Sequence, residues 1–134
     1  MTTLPLAVAM LLLLVGSARA DDPAVQKYLD GVKEKTELHG TALGDVDGDG
    51  TDEVVFVWGT LAKIPTKTLT VLARTDGGYR ELASRKLDGE VSLGSVASGI
   101  IIVDRWPLHP PKCCPSKKFQ DRYLLLEGRL VDAK

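Results

Sequence analysis

The apolar positions change period twice along the chain. From Leu6 to Val15 they are continuous, and from Val25 to Val32 they fall at i, i+3, i+4 and i+7 (Val25, Tyr28, Leu29, Val32), which is one stripe of a helix. Asp22-Pro23 begins that helix, with Asp as N-cap and Pro at the first helical position, where a missing N–H costs nothing. Beyond residue 36 the apolar positions form short runs separated by turn residues at about ten-residue spacing, the pattern of an antiparallel β domain. The candidate strands are Glu37–Leu43, Glu53–Leu61, Thr66–Arg74, Tyr79–Lys86, Val91–Ala97, Ile100–Asp104, Arg122–Leu126 and Arg129–Asp132. The expected fold class is α+β, mainly β: one N-terminal amphipathic helix, about residues 23–34, packed on one antiparallel sheet of about seven to eight short strands.

Asp76-Gly77-Gly78, Asp88-Gly89, Ser98-Gly99 and Glu127-Gly128 carry the residues that tight hairpins require. Val54-Val55-Phe56-Val57-Trp58 and Ile100-Ile101-Ile102-Val103 lack clean alternation, so both strands are expected to be central and buried on both faces. Residues 106–118, WPLHPPKCCPSKK, hold four prolines and no periodicity and read as a loop. No fixed-period repeat is visible.

The continuous apolar run ends in Ala18-Arg19-Ala20, the small-x-small pattern of a signal peptidase site, so residues 1–20 read as a signal peptide and 21–134 as a single mature domain. The run is shorter than the about 20 residues a bilayer span needs, so no stable membrane insertion is expected after signal cleavage. Of 17 Lys and Arg and 18 Asp and Glu, the leader removes one Arg and no acid, which leaves a net charge of −2. That balance points away from nucleic acid and anionic membrane surfaces. The expected location is periplasmic or secreted.

The densest chemistry lies in Asp45-Val46-Asp47-Gly48-Asp49-Gly50-Thr51-Asp52-Glu53. Asp45, Asp47 and Asp49 alternate, so three short carboxylates can converge while Val46 is free to face the core. Hard oxygen ligands suit Ca²⁺, which takes about six to eight of them. Gly48 and Gly50 supply the loop's reversal, the Thr51 carbonyl offers a backbone ligand, and Glu53 closes the shell from the far side. The competing reading is a polar turn whose Asp side chains cap their own backbone N–H groups. An EF-hand is excluded: counted from Asp45, position 12 is Phe56, where the motif needs a bidentate Glu followed by a helix. The segment resembles the FG-GAP/VCBS-type calcium loop, D-x-D-x-D-G-x-x-[DE] running into an apolar strand, over residues 41–59 in a single copy. The resemblance implies one bound calcium ion with Asp45, Asp47, Asp49, Thr51 and Glu53 as ligands. A chain of 134 residues is too short for that family's propeller, so only the loop transfers.

Cys113 and Cys114 are the two cysteines, and they are adjacent. Neighbouring Cα atoms stand about 3.8 Å apart, below the usual disulfide window that opens near 4.4 Å, so a bond between them is strained and closes almost no loop. Three readings stand: a vicinal disulfide stiffening the Pro-rich turn, a soft-metal site with His109, and intermolecular or modified thiols. Pro110-Pro111-Lys112-Cys113-Cys114-Pro115-Ser116, followed by Tyr123-Leu124-Leu125-Leu126-Glu127-Gly128-Arg129-Leu130, is similar to the C-terminal part of small bacterial envelope proteins of the LppP/LprE type, over roughly residues 66–131. That similarity implies an envelope location and carries no activity.

His39 and His109 are the two histidines, and neither lies in a nucleophile elbow, a zinc motif or a phosphate loop. The expectation is therefore a non-enzymatic exported domain holding one structural calcium ion, its partner an unknown protein or an envelope component. The alternative is a periplasmic thiol or copper-handling protein using the vicinal cysteines.

Overall fold

The computed structural model describes residues 22–61, 67–106 and 118–133. Helix α1 spans Pro23–Asp30 and is followed by eight strands: β1 (Thr36–Gly44), β2 (Glu53–Thr60), β3 (Lys67–Thr75), β4 (Gly78–Leu87), β5 (Glu90–Ala97), β6 (Ile100–Trp106), β7 (Phe119–Leu126) and β8 (Arg129–Asp132). All pairings are antiparallel and join sequence neighbours. They form two four-stranded sheets, β1-β2-β3-β4 and β5-β6-β7-β8. The expectation of one sheet is thus corrected to two. Asp88-Gly89 has the chemistry of a hairpin turn, and Gly89 takes φ 86°, but here it carries the chain from β4 across to the second sheet.

The apolar pattern of β2 explains the layering. Val55 and Val57 face the second sheet, where they join Leu69, Val71, Ala83 and Leu87 against Val91, Ile101, Val103, Tyr123 and Leu130. Val54 and Phe56 face the other way and, with Leu72, pack on Ala24 and Val25 of α1. Residues 54–57 have no solvent exposure at all, so this strand is central and buried on both faces as its composition demands. Strand β6 is central too, but Ile100 and Ile102 on its outer face are only half-buried, which corrects the expectation of two buried faces. Among the described residues no element is laid over that outer face in the way that α1 is laid over the first sheet.

Asp22 caps α1, its Oδ1 accepting the N–H of Ala24 at 3.0 Å while its second oxygen pairs with Arg74 of β3. The helix stops four residues short of the expected 34. Gly31 is its C-cap, and its N–H and that of Val32 turn back to the carbonyls of Tyr28 and Leu29 in the tighter i→i−3 pattern. Tyr28 meets Phe56, Trp58 and Tyr79 edge-on at centroid distances of 5.5, 5.8 and 5.6 Å, so one aromatic side chain docks the helix onto three rings of two strands, β2 and β4. Residues 1–21, the connection 62–66 and residues 107–117, which include His109, Cys113 and Cys114, lie outside the described residues. Among the described residues no helix is long and apolar enough to cross a membrane.

The sheets meet along a seam between β1 and β5. Gly40, at φ 113°, brings its backbone so near β5 that an added Cβ would stand 2.8 Å from Leu93 Cβ and 3.1 Å from its nitrogen. Further along the same seam Lys67 Nζ lies 2.7 Å from His39 Nε2. An ammonium only donates, so Nε2 accepts and the imidazole is neutral. Glu37, 3.5 Å from the same nitrogen, then lacks a proton to share with it. Burial, then Lys67, lowers the His39 pKa below its ordinary 6.5, against the opposing pull of Glu37 and Glu90.

Gly40→Ala costs about 2 kcal/mol or more, because strain at positive φ adds to a clash with backbone that cannot step aside; urea unfolding measures it. A lowered histidine pKa means that the unfolded chain takes up the proton first, so stability falls as pH drops below 6.5. In His39→Gln the fall between pH 7 and 5 is shallower than in the parent, read from denaturation midpoints at matched ionic strength.

Candidate metal centre

Strands β1 and β2 end their ladder at the pair Gly44 and Glu53, and the eight residues between them make the acidic loop. Val46 anchors it: only 6% exposed, it belongs to the core between the sheets. With Val46 turned inward, Asp45 and Asp47 on either side are turned out. Gly48 and Gly50 take φ 80° and 90°, the left-handed conformation that lets the chain curl round the Asp45 side chain.

Asp45 is the hub of the curl. Its Oδ1 accepts the N–H groups of Gly48 (2.9 Å) and Asp49 (3.2 Å), and its Oδ2 accepts that of Gly50 (2.9 Å). Asp47 Oδ1 accepts the N–H of Asp49 at 3.1 Å. Asp49 Oδ1 accepts both the N–H and the hydroxyl of Thr51, each at 2.8 Å. Glu53 is 2% exposed, and its Oε1 accepts the N–H groups of Val46 (2.9 Å) and Asp47 (3.2 Å) from across the loop. Self-capping of the loop is therefore real. It uses one oxygen each of Asp47, Asp49 and Glu53, and the second oxygen of each takes no N–H among the described residues.

Asp45, Asp47, Asp49 and Glu53 bring carboxylate oxygens within 4.8 Å of one another. Thr51, the fifth expected ligand, is held in the same loop by its two bonds to Asp49. Among the described residues no Lys or Arg forms an ion pair with any of the four acids. Backbone dipoles offset part of the repulsion, yet a cluster of four like charges without a cationic side chain favours either a cation or a proton. Asp47 and Asp49 titrate together: loss of surrounding water and the neighbouring Asp49 carboxylate push Asp47 up, while the Thr51 N–H and hydroxyl pull Asp49 down. Burial holds the Glu53 carboxyl above its ordinary 4.5, against the two backbone N–H groups that favour its charged form.

The loop leans on the β5–β6 hairpin. Gly44 approaches Val96 so closely that an added Cβ would lie 2.3 Å from its Cγ1, and Gly99 of the turn sits beside the Asp45 carbonyl. An open groove of about 560 Å³ runs between the two, with Asp45, Asp47, Val96 and Leu124 on its walls. The sequence reading missed this contact, which joins residues some fifty positions apart and leaves no local signal. His109, Cys113 and Cys114, the proposed soft-metal or disulfide residues, fall outside the described residues.

A raised carboxyl pKa in the folded state means that the native protein binds the proton first, so the Glu53 contribution is largest at low pH and is lost as pH rises through the folded value. In chelator, the stability difference between the parent and Glu53→Gln therefore shifts in favour of the parent as pH falls from 7 toward 4.5, read from urea midpoints. In comparisons with known proteins, no family model matches the chain, and neither a curated protein nor a solved structure does.

Proposed function

We propose that this protein is an exported, non-enzymatic domain of the periplasm or the extracellular space, whose loop from Asp45 to Glu53 holds one structural calcium ion. The observation that carries the reading is the convergence of four carboxylates within 4.8 Å, free of any cationic side chain among the described residues. Oxygen-only donors of this kind match a hard divalent cation, and a mixed set of backbone and carboxylate oxygens suits calcium better than the strict octahedron of magnesium. The likeness of residues 41–59 to FG-GAP/VCBS-type loops supports the same assignment, with the Thr51 carbonyl as the backbone ligand. The leader pattern of residues 1–20 supports export, where calcium is plentiful.

On this reading the ion's work is to hold the β1–β2 connection in one shape. Glu53 starts the most deeply buried strand and also closes the cluster, so an ion bound there ties the loop to the core. What the ordered loop then presents to a partner, a protein or an envelope component, is its outer rim and the groove beside it.

Melting the purified protein with calcium and with chelator tests the reading. Free calcium at a hundredfold its dissociation constant stabilises by about 2.7 kcal/mol, seen as a raised midpoint, because only the folded loop binds. Asp47→Ala and Asp49→Ala each abolish the shift without unfolding the chain. An unchanged midpoint in the parent, with no heat of binding by titration calorimetry, overturns the proposal.

A further inference from the structure

The inward faces of the two sheets are apolar until they reach the end opposite the acidic loop. That end is marked by the pairs Thr36–Thr60 and Lys67–Leu87, as the acidic end is by Gly44–Glu53. Along β4 the inward residues are Ala83, Arg85 and Leu87, and along β6 they are Ile101, Val103 and Arg105. Across from β6, Asp121 pairs with Val103 and Tyr123 with Ile101, so both also point inward. Arg85, Arg105, Asp121 and Tyr123 line a cavity of about 200 Å³, together with Lys86, Asp88 and the apolar Leu87 and Val91.

Apolar side chains at these positions would extend the core, whereas the two ion pairs found here, Arg105–Asp121 and Arg85–Asp132, are half-buried to exposed, and pairs so open to water add little stability. Stability alone therefore does not account for the cluster. Its hydrogen-bond inventory is one-sided. Arg105 gives its Nε–H to Asp121 at 2.6 Å, and Arg85 gives Nη1 to the Leu130 carbonyl at 3.1 Å and Nη2 to Asp132 at 3.2 Å. A guanidinium has five donors, so most of them remain, and among the described residues no acceptor takes the Arg105 Nη hydrogens. Each guanidinium is also held against an aromatic ring, Arg85 over Tyr123 at 4.8 Å and Arg105 over Phe119 at 5.2 Å, which limits its freedom before any ligand arrives.

We propose that this cavity binds a small oxyanion, a phosphate, sulfate or carboxylate group, gripped by the free edge of Arg105 and by Arg85, with the Tyr123 hydroxyl as a neutral donor. The volume is below the about 300 Å³ at which pockets begin to enclose larger organic ligands, and it suits a single anionic group. Asp121 and Asp132 orient the two guanidiniums and leave their remaining edges to the ligand. Of the two other charged residues that line the cavity, Asp88 opposes the anion and Lys86 favours it. The site stands independently of the calcium reading, at the other end of the sandwich.

The test is titration of the ¹⁵N-labelled full chain with inorganic phosphate and separately with sulfate and acetate, the ionic strength held constant with chloride. The expected result is a saturable shift of the Arg105 Nε–H signal and of amides in β4, β6 and β7. Tyr123→Phe and Arg105→Gln each weaken binding by about tenfold, the worth of one charge-assisted hydrogen bond, and Asp88→Asn tightens it. Should Arg105→Gln unfold by leaving Asp121 unpaired, Arg105→Gln/Asp121→Asn removes both partners together and still loses the anion. Shifts that rise linearly without saturating, or that persist undiminished in Tyr123→Phe and in the double variant, overturn the proposal.

Discussion

Strand β2 presents valine and phenylalanine to both sides, and a strand of that composition is stable only when an apolar layer lies on each face. The remaining architecture answers that demand. The second sheet covers Val55 and Val57, and α1 with its tyrosine covers Val54 and Phe56. Four fully buried side chains in a row each contribute roughly 1.5–3 kcal/mol of transfer free energy before the ordering cost is counted. The sandwich is thus organised around one strand, with a short helix serving as the third layer.

The same strand begins with a buried carboxylate. Glu53 is tied to the N–H groups of Val46 and Asp47, so the acidic loop is fastened at both ends to the core: by Val46 through packing and by Glu53 through hydrogen bonds. Asp45, Asp47 and Asp49 are exposed or half-exposed and held by their own backbone. On the proposed calcium reading, a loop fastened in this way gathers its ligands in folding, so less of their ordering falls on the binding step.

Much of this was legible in the chain. Eight strands and their turns were readable because period-two alternation and Gly-bearing turns are local signals, and Ser98-Gly99 and Glu127-Gly128 both adopt the paired positive φ values of tight hairpins. The division into two sheets was not, because Asp88-Gly89 uses the same turn chemistry to leave a sheet that the others use to stay in one. The helix was overextended because Val32 continues the apolar stripe past Gly31, where the backbone has already turned. Four of the five expected ligands converge because they are close in sequence. The polar cavity went unread for the opposite reason: Arg85, Arg105 and Tyr123 come from three strands and share no motif. In sequence each is an ordinary residue of a β-strand.

Each sheet is a meander, so every strand pairs with the strand before or after it. Hairpins of this kind close small loops, and their entropic cost is spread over many modest steps. The large cost falls on one event, the laying of the second meander against the first, where contacts between β1 and β5 and between β4 and β8 span dozens of residues. The linker responsible for that event is a mere two residues, Asp88 and Gly89, and its shortness keeps the halves at high effective concentration while they find each other.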